Sequence, residues 1–469
     1  MQNIRIITDH DVIEGYLTDA SNTRGHAEAL VIPRSTEEVS EVMRHCQAEA
    51  IPLTVTAQRT STTGGPVPNG GWLLSMEQMD QVYGPDDVGG GVILGEHQDV
   101  LERQGLMFPP DPTSRHECTI GASIACNASG ARSFRYGPTR AWIEAVEVVL
   151  PTGEVCWADR NTPIPADWPR MNWQEPAVKT AAGFHPGDNL LDLMIGQEGT
   201  LGIITRAKLR LIEAPAAVLG LICFFSDLNA CVSFVEQARA GAVRRGAPGT
   251  GGALDPRAIE YFDSAALDMA RSRVPDIPQE ARAALFIEIE HDGEPPLEDW
   301  WDALLEHDAL AEATIVADDE SGRLRLHAVR HAIPAGVNER VVANGMPKVG
   351  TDFSVPDQGL MAMMTAYSNV ELPTICFGHI GDNHLHLNFF PRNEMELEEA
   401  RTQYKKLAMY AVSLGGTVSA EHGIGKIKRA LLAEMVGAEV VDQFRTLKLH
   451  IDPACILGRG TMFVMSDPD

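Results

Sequence analysis

The sequence predicts an α+β protein with more than one domain, and three observations carry that expectation. The chain has 469 residues, more than a single hydrophobic core usually organises. Between residues 53 and 212, short β-type runs alternate with glycine-rich loops: TTGGPVPNGG, GGGVILG, IGASIACNASGARSFRYG and IGQEGTLGIIT. From residue 213 to about 300 the texture changes to alanine-rich helical stretches and strand-like runs such as AALFIEIE.

Along the chain, STEEVSEVMRHCQAEAIP comes first. Ser35 with Glu38 three residues later is a helix-start signature, and Val39, Val42, Met43 and Cys46 repeat at helical spacing. This predicts an amphipathic helix ending near Pro52. The glycine loops follow. Glycine suits positions where the backbone takes positive φ or approaches a ligand closely, and here it clusters in separate loops of one region. A domain boundary is expected near Glu213–Ala217, followed by VLGLICFF at 218–225, about the length of a strand. Near the end, Leu397, Ala400, Tyr404, Leu407, Ala408 and Ala411 mark a helix that stops at Gly415–Gly416.

Composition excludes several functions. With 44% hydrophobic and 22% charged residues the chain reads as a folded soluble protein. Its formal charge of −27 repels nucleic-acid phosphates and anionic lipid, so neither is an expected partner. No apolar run approaches the roughly 18 residues of a membrane helix. The start, MQNIRIITDHDV, lacks the pattern of a signal peptide, so the expectation is a cytoplasmic protein. Eight cysteines show no CxxC pair and read as reduced core thiols.

GHIGDNHLHLN, residues 378–388, is the densest chemistry in the chain. In an uninterrupted strand His379 and His386 would point to opposite faces. Gly381-Asp382-Asn383 is turn chemistry, however, and a turn there lets the two imidazoles converge. Beyond it His384, His386 and Asn388 share one face, and Leu385, Leu387 and Phe389 the other. Two imidazoles and a carboxylate make a good divalent-metal set with room for substrate. The carboxylate is Asp382 or Glu421, the latter beside His422 in SAEHGIGKIKR at 419–429. Hydrogen-bonded core or surface histidines are the alternative at this point.

FPPDPTSRHECTIGASIACNASGARSFRYGPTR, IGQEGTLGIITRAKLRL, GHIGDNHLHLN and EHGIGKIK, in that order, resemble one family. It is the FAD-dependent D-2-hydroxyacid dehydrogenases of the vanillyl-alcohol-oxidase superfamily, which includes D-lactate, D-2-hydroxyglutarate and glycolate dehydrogenases. The resemblance spans about residues 20–460. It implies a two-subdomain FAD-binding fold of the PCMH type over residues 1–212 and an α+β cap carrying substrate groups over 213–418. A C-terminal segment, 419–469, would return to the flavin.

The resemblance also assigns residues. Thr60, Ser61, Thr62, Thr63, Gly64 and Gly65 match the pyrophosphate turn; Pro110, Gly121, Ser123, Asn127, Gly130, Tyr136 and Gly137 match the isoalloxazine and ribityl wall. Glu198, Gly199 and Ile203 match contacts to the adenine half. His379, His386 and Glu421 match a metal triad for zinc, manganese or iron(II), and Asn388 a neighbouring substrate contact. His422 matches the base, and Arg330 the arginine that grips the substrate carboxylate. Three stretches depart from the pattern: Ala57-Gln58-Arg59 replaces a glycine run, Gly458–Thr461 (GRGT) replaces an NPGK-like turn, and Asn383-His384 replaces Gly-Asn.

The implied reaction oxidises a D-2-hydroxy acid to the 2-keto acid, with hydride passing to FAD and a divalent ion assisting hydroxyl deprotonation. D-lactate is expected ahead of D-2-hydroxyglutarate or glycolate. Enzymes of the 2-hydroxyglutarate type place a lysine two residues before the aspartate of this segment, whereas KVGTDFSVP has Gly350 there and Lys348 two residues further back. Rival readings are an oxidase of sugars, lactones or aromatic alcohols, and a flavin-free metal hydrolase. The electron acceptor is open among a quinone, a cytochrome and an electron-transfer flavoprotein; NAD is not expected, because no strand–helix turn carries GxGxxG. A homodimer is compatible with the reading.

Overall fold

The computed structural model describes residues 4–243 and 252–465. Within the helix Glu320–Asn344 the side chains of Glu320, Arg323, His327, Arg330 and His331 lie outside the described residues. Three larger sheets organise the chain. The first has four strands in the order Ile6–Ile7, Ala29–Val31, Trp72–Ser75, Leu53–Thr56. The helix Thr36–Ala48 packs on it, capped by the Ser35 hydroxyl, with Val39, Val42, Met43 and Cys46 buried. It stops at Ala48 rather than running to Pro52, because Glu49 closes the last turn and Ala50 takes φ +52°.

The second sheet runs Val82–Gly84, Asp87–Gly89, Ile203–Leu209, Ile143–Val149, Val155–Asp159. Around residue 213 the chain changes partners: Ile212–Glu213 pairs back on Leu106–Met107, and Ala217–Phe225 enters an eight-stranded sheet. There Ala217–Phe225 and Pro256–Asp263 flank Ala283–His291, and Thr374–His379 joins Pro256–Asp263 to His384–Phe389. The short strands Val349–Gly350 and Phe353–Ser354 both pair with His384–Phe389.

After the helix Glu394–Ser413, which Gly415 ends at φ +86°, the chain leaves this sheet and returns to the first. Ile456 and Leu457 are buried beside Val39, Val42 and Leu53. The Leu53 N–H donates to the Ile456 carbonyl at 2.7 Å, and the Gly458 N–H donates to the Leu53 carbonyl at 2.9 Å. The far C-terminal stretch thus covers the outer edge of the first sheet, where an open edge would invite pairing with another chain. This return brings the loop at 419–428 against the glycine loops of the first 200 residues. Among the described residues, no helix is long and apolar enough to cross a membrane.

Candidate active site

The histidine stretch is a hairpin. Thr374–His379 and His384–Phe389 pair antiparallel with His379 opposite His384 and Phe377 opposite His386. Residues Ile380–Asp382 form the turn, and Asn383 completes it at φ +54°. The buried Arg239 guanidinium fixes the turn by donating to the Ile380 carbonyl and the Asn383 side chain. Behind the hairpin, Ser354 donates to the Asp382 carbonyl at 2.9 Å.

The turn aims three imidazoles at one carboxylate, that of Glu421. His379 Nε2 lies 3.3 Å from Oε2, His386 Nε2 3.3 Å from Oε1, and His384 Nδ1 3.7 Å from Oε2. All four candidate ligand atoms fall within 4.8 Å of one another. The opposite ring nitrogens face oxygen acceptors: His379 Nδ1 meets Glu260 at 2.6 Å, and His386 Nδ1 meets the Thr351 carbonyl at 2.8 Å. His384 Nε2 lies 2.9 Å from Asp352, though off the line of a directed hydrogen bond. Such outer partners orient metal-binding imidazoles, and three imidazoles with a carboxylate form a donor set that fits zinc or a related divalent ion.

Electrostatics in the cluster is strongly uneven. Burial opposes charge on His379, but Glu260 and Glu421 outweigh it and raise its imidazole to about 10. Burial takes His384 the other way, well below the ordinary imidazole value, and Glu421 does not reverse this. Burial would also raise the Glu421 carboxyl, yet Lys179, His379 and His384 hold it well below the usual carboxylate range. Lys179, with its side chain 5% exposed, stands 3.3 Å from Glu421 and 3.6 Å from Asp382. The ring of His422 stacks on His386, with centroids 5.4 Å apart, and remains partly open to solvent. Its Nε2 is 3.4 Å from Glu421 and its Nδ1 3.5 Å from Asp352.

Asp352 organises the loop that presents Glu421 and His422. Its fully buried carboxylate accepts the N–H groups of Ala420, Glu421 and His422 at 3.3, 3.1 and 3.1 Å, the Ser419 hydroxyl at 2.8 Å and the Lys428 ammonium at 2.5 Å. The same loop continues into the glycine region. Lys426 and Ile427 N–H groups donate to the Thr63 carbonyl at 2.9 and 3.2 Å, and Lys426 Nζ donates to the carbonyls of Gly64, Gly65 and Val67. Glu198, at φ +54°, accepts the N–H groups of Ile424 and Gly425 at 2.8 and 2.7 Å, and burial raises its carboxyl to about 7.

The glycines divide into two kinds. A Cβ added at Gly64, Gly65 or Gly199 would meet no heavy atom closer than 3.7, 3.9 and 3.8 Å, respectively. A side chain at these positions would meet only ordinary van der Waals contacts, so no neighbouring backbone packs tightly against them. A Cβ at Gly121 would instead meet the Gly90 carbonyl at 2.7 Å, and one at Gly130 the Asp111 carbonyl at 2.1 Å. These two glycines allow backbone segments to touch. The glycines at 64, 65 and 199 leave no side chain in the way of a phosphate-bearing cofactor approaching the 60–65 and 196–199 loops, whereas the 424–427 N–H groups are spent on Glu198 and Thr63.

Comparison with known proteins gives the arrangement a family. Residues 27–159 match the FAD binding domain, and residues 215–462 match the C-terminal domain of FAD linked oxidases. The second match alone covers more than half of the chain. The protein belongs to the FAD-linked oxidase family. A D-lactate dehydrogenase of Anaerostipes hadrus is 31% identical over 97% of this chain and 94% of its own length. A glycolate oxidase subunit GlcD of Bacillus subtilis (strain 168) is 28% identical over 93% and 89%. A D-2-hydroxyglutarate dehydrogenase of Xanthomonas citri pv. viticola is 28% identical over 94% and 90%. An alkyldihydroxyacetonephosphate synthase structure superposes with a TM-score of 0.68 at 17% identity, covering 97% of this chain and 81% of that one, which shows a shared fold. The family match sets aside the flavin-free hydrolase, and the protein is an FAD-dependent oxidoreductase.

Within this FAD-linked oxidase, the structure brings His379, His386, Glu421 and His422 together and sets Asn388 on the same strand. Lys348 Nζ donates to Asn388 Oδ1 at 3.0 Å, so the lysine does reach this strand despite its shifted place in KVGTDFSVP. Two assigned wall residues spend their side chains on the protein itself: Asn127 accepts the Arg140 N–H at 2.9 Å, and the Tyr136 hydroxyl donates to Glu290. Ser123 lies 3.5 Å from the Cys118 thiol, Pro110 offers its carbonyl to Gln98 at 2.6 Å, and Gly137 ends a short helix at φ +75°. Ile203 begins the central strand of the second sheet and is buried. The Arg330 side chain lies outside the described residues.

The departures resolve locally. Arg59 takes φ +60°, lies 4.7 Å over the Tyr16 ring and donates to the Ala57 carbonyl at 2.9 Å, so its charge is stacked aside. Gly458, at φ +61°, turns the GRGT stretch against Leu53, and the Thr461 hydroxyl reaches the Gly65 carbonyl at 3.5 Å. Sequence reasoning missed Lys179, Glu260 and Asp352, whose single carboxylates and ammonium carry no local signature. The one available signal for Asp352 was its place in KVGTDFSVP.

Proposed function

We propose that this protein oxidises a small D-2-hydroxy acid, D-lactate foremost, to its 2-keto acid. The observation that carries the reading is the convergence of imidazoles on Glu421 in a loop that also braces the cofactor-facing glycines. The names of the relatives, D-lactate dehydrogenase, glycolate oxidase subunit and D-2-hydroxyglutarate dehydrogenase, support the substrate class. The working division is a flavin-binding part over 1–212, a cap over 213–418 and a closing segment over 419–469.

FAD, when bound, supplies the acceptor for the hydride leaving the substrate carbon. A divalent ion held by His379, His386 and Glu421 would supply Lewis acidity that favours the deprotonated hydroxyl. His422, partly exposed beside Glu421, takes the hydroxyl proton at its ring nitrogen. Asn388 hydrogen-bonds the substrate, and by the family resemblance Arg330 is the partner of its carboxylate. Glu260 and Thr351 keep the imidazoles of His379 and His386 turned toward the reacting group.

A second reading has an observation of its own. Lys348 reaches the strand of Asn388, its hydrogen-bond partner, and desolvation disfavours its ammonium. A second carboxylate on the substrate would satisfy it, which favours D-2-hydroxyglutarate. Anaerobic bleaching of the bound flavin by a panel of D- and L-hydroxy acids tests both. D-lactate reducing fastest supports the first reading; a large advantage for D-2-hydroxyglutarate replaces it with the second, and no reduction by any D-2-hydroxy acid overturns both.

A further inference from the structure

We propose that His384 is a third imidazole ligand of the divalent ion, so that this chain surrounds the metal with His379, His384, His386 and Glu421. This rests on the metal-binding reading above and goes beyond its two-histidine triad. The side chain of His384 is completely buried, and Nδ1 has no hydrogen-bond partner among the described residues. A buried imidazole nitrogen without a partner is costly unless something occupies the space it faces. That space is the Glu421 carboxylate, 3.7 Å away, shared with His379 and His386.

Geometry supports coordination over coincidence. Four ligands at tetrahedral corners about 2.0–2.1 Å from zinc stand roughly 3.3 Å from one another. The separations of the three imidazole nitrogens from Glu421 are 3.3, 3.3 and 3.7 Å. The three rings also share one plan. His379 turns its outer nitrogen to Glu260, His386 to the Thr351 carbonyl and His384 to Asp352, leaving the inner nitrogens aimed at a common point. The ring centroids of His384 and His386 are 4.4 Å apart and those of His379 and His384 5.3 Å, distances suited to neighbouring ligands. Four protein ligands close a tetrahedral zinc site, so an ion that accepts five or six ligands would be the one leaving room for substrate.

The test is anomalous diffraction at the zinc edge from crystals of the full-length, FAD-bound protein soaked with zinc. It is paired with zinc affinity measured by chelator competition on wild type, His384→Asn, His384→Gln and His386→Ala. The expected result is zinc about 2.0–2.1 Å from His384 Nδ1 and an affinity at least ~10-fold lower in both His384 variants. Flavin content would report that the variants are folded, and the wild-type crystal answers the question even if they are not. Zinc coordinated by His379, His386 and Glu421 with His384 Nδ1 more than about 3 Å away, outside bonding distance, overturns this proposal and leaves the triad intact. No zinc at any of the four residues overturns the proposal together with the metal-binding reading.

Discussion

Replacing Asp352 with asparagine removes one negative charge from a place where nothing else can supply it. The carboxylate is 0% exposed and holds Lys428 at 2.5 Å, Ser419 at 2.8 Å and the N–H groups of Glu421 and His422 at 3.1 Å. Asparagine keeps one acceptor oxygen but turns an amide NH2 toward groups that are themselves donors. Breaking a buried ion pair from one side costs about 3–5 kcal/mol, because the partner charge is left uncompensated. A chain of 469 residues has an unfolding entropy of roughly 1 kcal/mol/K if it melts as one unit, which converts that loss into a midpoint lowered by about 3–5 °C. Differential scanning calorimetry of FAD-loaded wild type and Asp352→Asn measures it, and Asp352→Asn/Lys428→Met should recover part of the loss. The pH dependence follows from the same contacts. Burial alone would raise the Asp352 carboxyl, but His422, Lys428 and His384 hold it well below the ordinary value. Its contribution is therefore present above the unfolded carboxylate pKa of about 3.9 and lost as pH falls through the lower folded value. Asp352→Asn should accordingly narrow its deficit against wild type as the medium becomes strongly acid. A midpoint within about 1 °C of wild type at neutral pH, below the shift expected for a lost buried pair, would refute the reasoning.

Other expectations are as direct. Purified protein should carry about one non-covalent FAD per chain, released by heat; a colourless sample that takes up no added FAD would contradict the fit of the 60–65 and 196–199 loops. His386→Ala should lose the divalent ion and most turnover while keeping flavin, as judged by elemental analysis beside the visible spectrum. His422→Ala should slow flavin reduction by about 10²- to 10⁴-fold with metal and FAD retained; a wild-type reduction rate would assign His422 a structural role. Lys426→Met removes an ammonium that caps three loop carbonyls. One charged hydrogen bond contributes about 1.5–3 kcal/mol, so FAD affinity measured by fluorescence quenching should fall about 10- to 150-fold.

Local patterns made much of this fold legible. The Ser35 cap and its apolar repeat gave the helix Thr36–Ala48, and the repeat from Leu397 to Ala411 lies in the helix Glu394–Ser413. The Gly381–Asn383 turn brings His379 and His386 to one carboxylate, as turn chemistry required. What stayed hidden depends on contacts between distant segments. Asp352 acts through backbone N–H groups some 70 residues later in the chain. Glu260 reaches His379 across a pair of strands, and Lys179 enters from a loop of another sheet's neighbourhood. Glycine is ambiguous by nature: Gly121 and Gly64 look alike in sequence, yet one admits a neighbouring backbone and the other has only ordinary side-chain contacts around it. Lys348 shows the limit of counting residues, since it reaches Asn388 from a position shifted by two.

The covering of the first sheet's edge by Ile456–Gly458 also sets a schedule for synthesis. Leu53–Thr56 pairs on one side with Trp72–Ser75 soon after it is made, but its other side waits for Leu457, about 400 residues later. At roughly 5–20 residues/s the wait is about 20–80 s. The Thr60–Gly65 loop that follows this strand meets Lys426 near the end of the same interval. A nascent chain therefore displays a bare strand and an unbraced Thr60–Gly65 loop for most of its time on the ribosome. Flavin capture is expected to be a late event, sensitive to anything that delays or removes the last fifty residues.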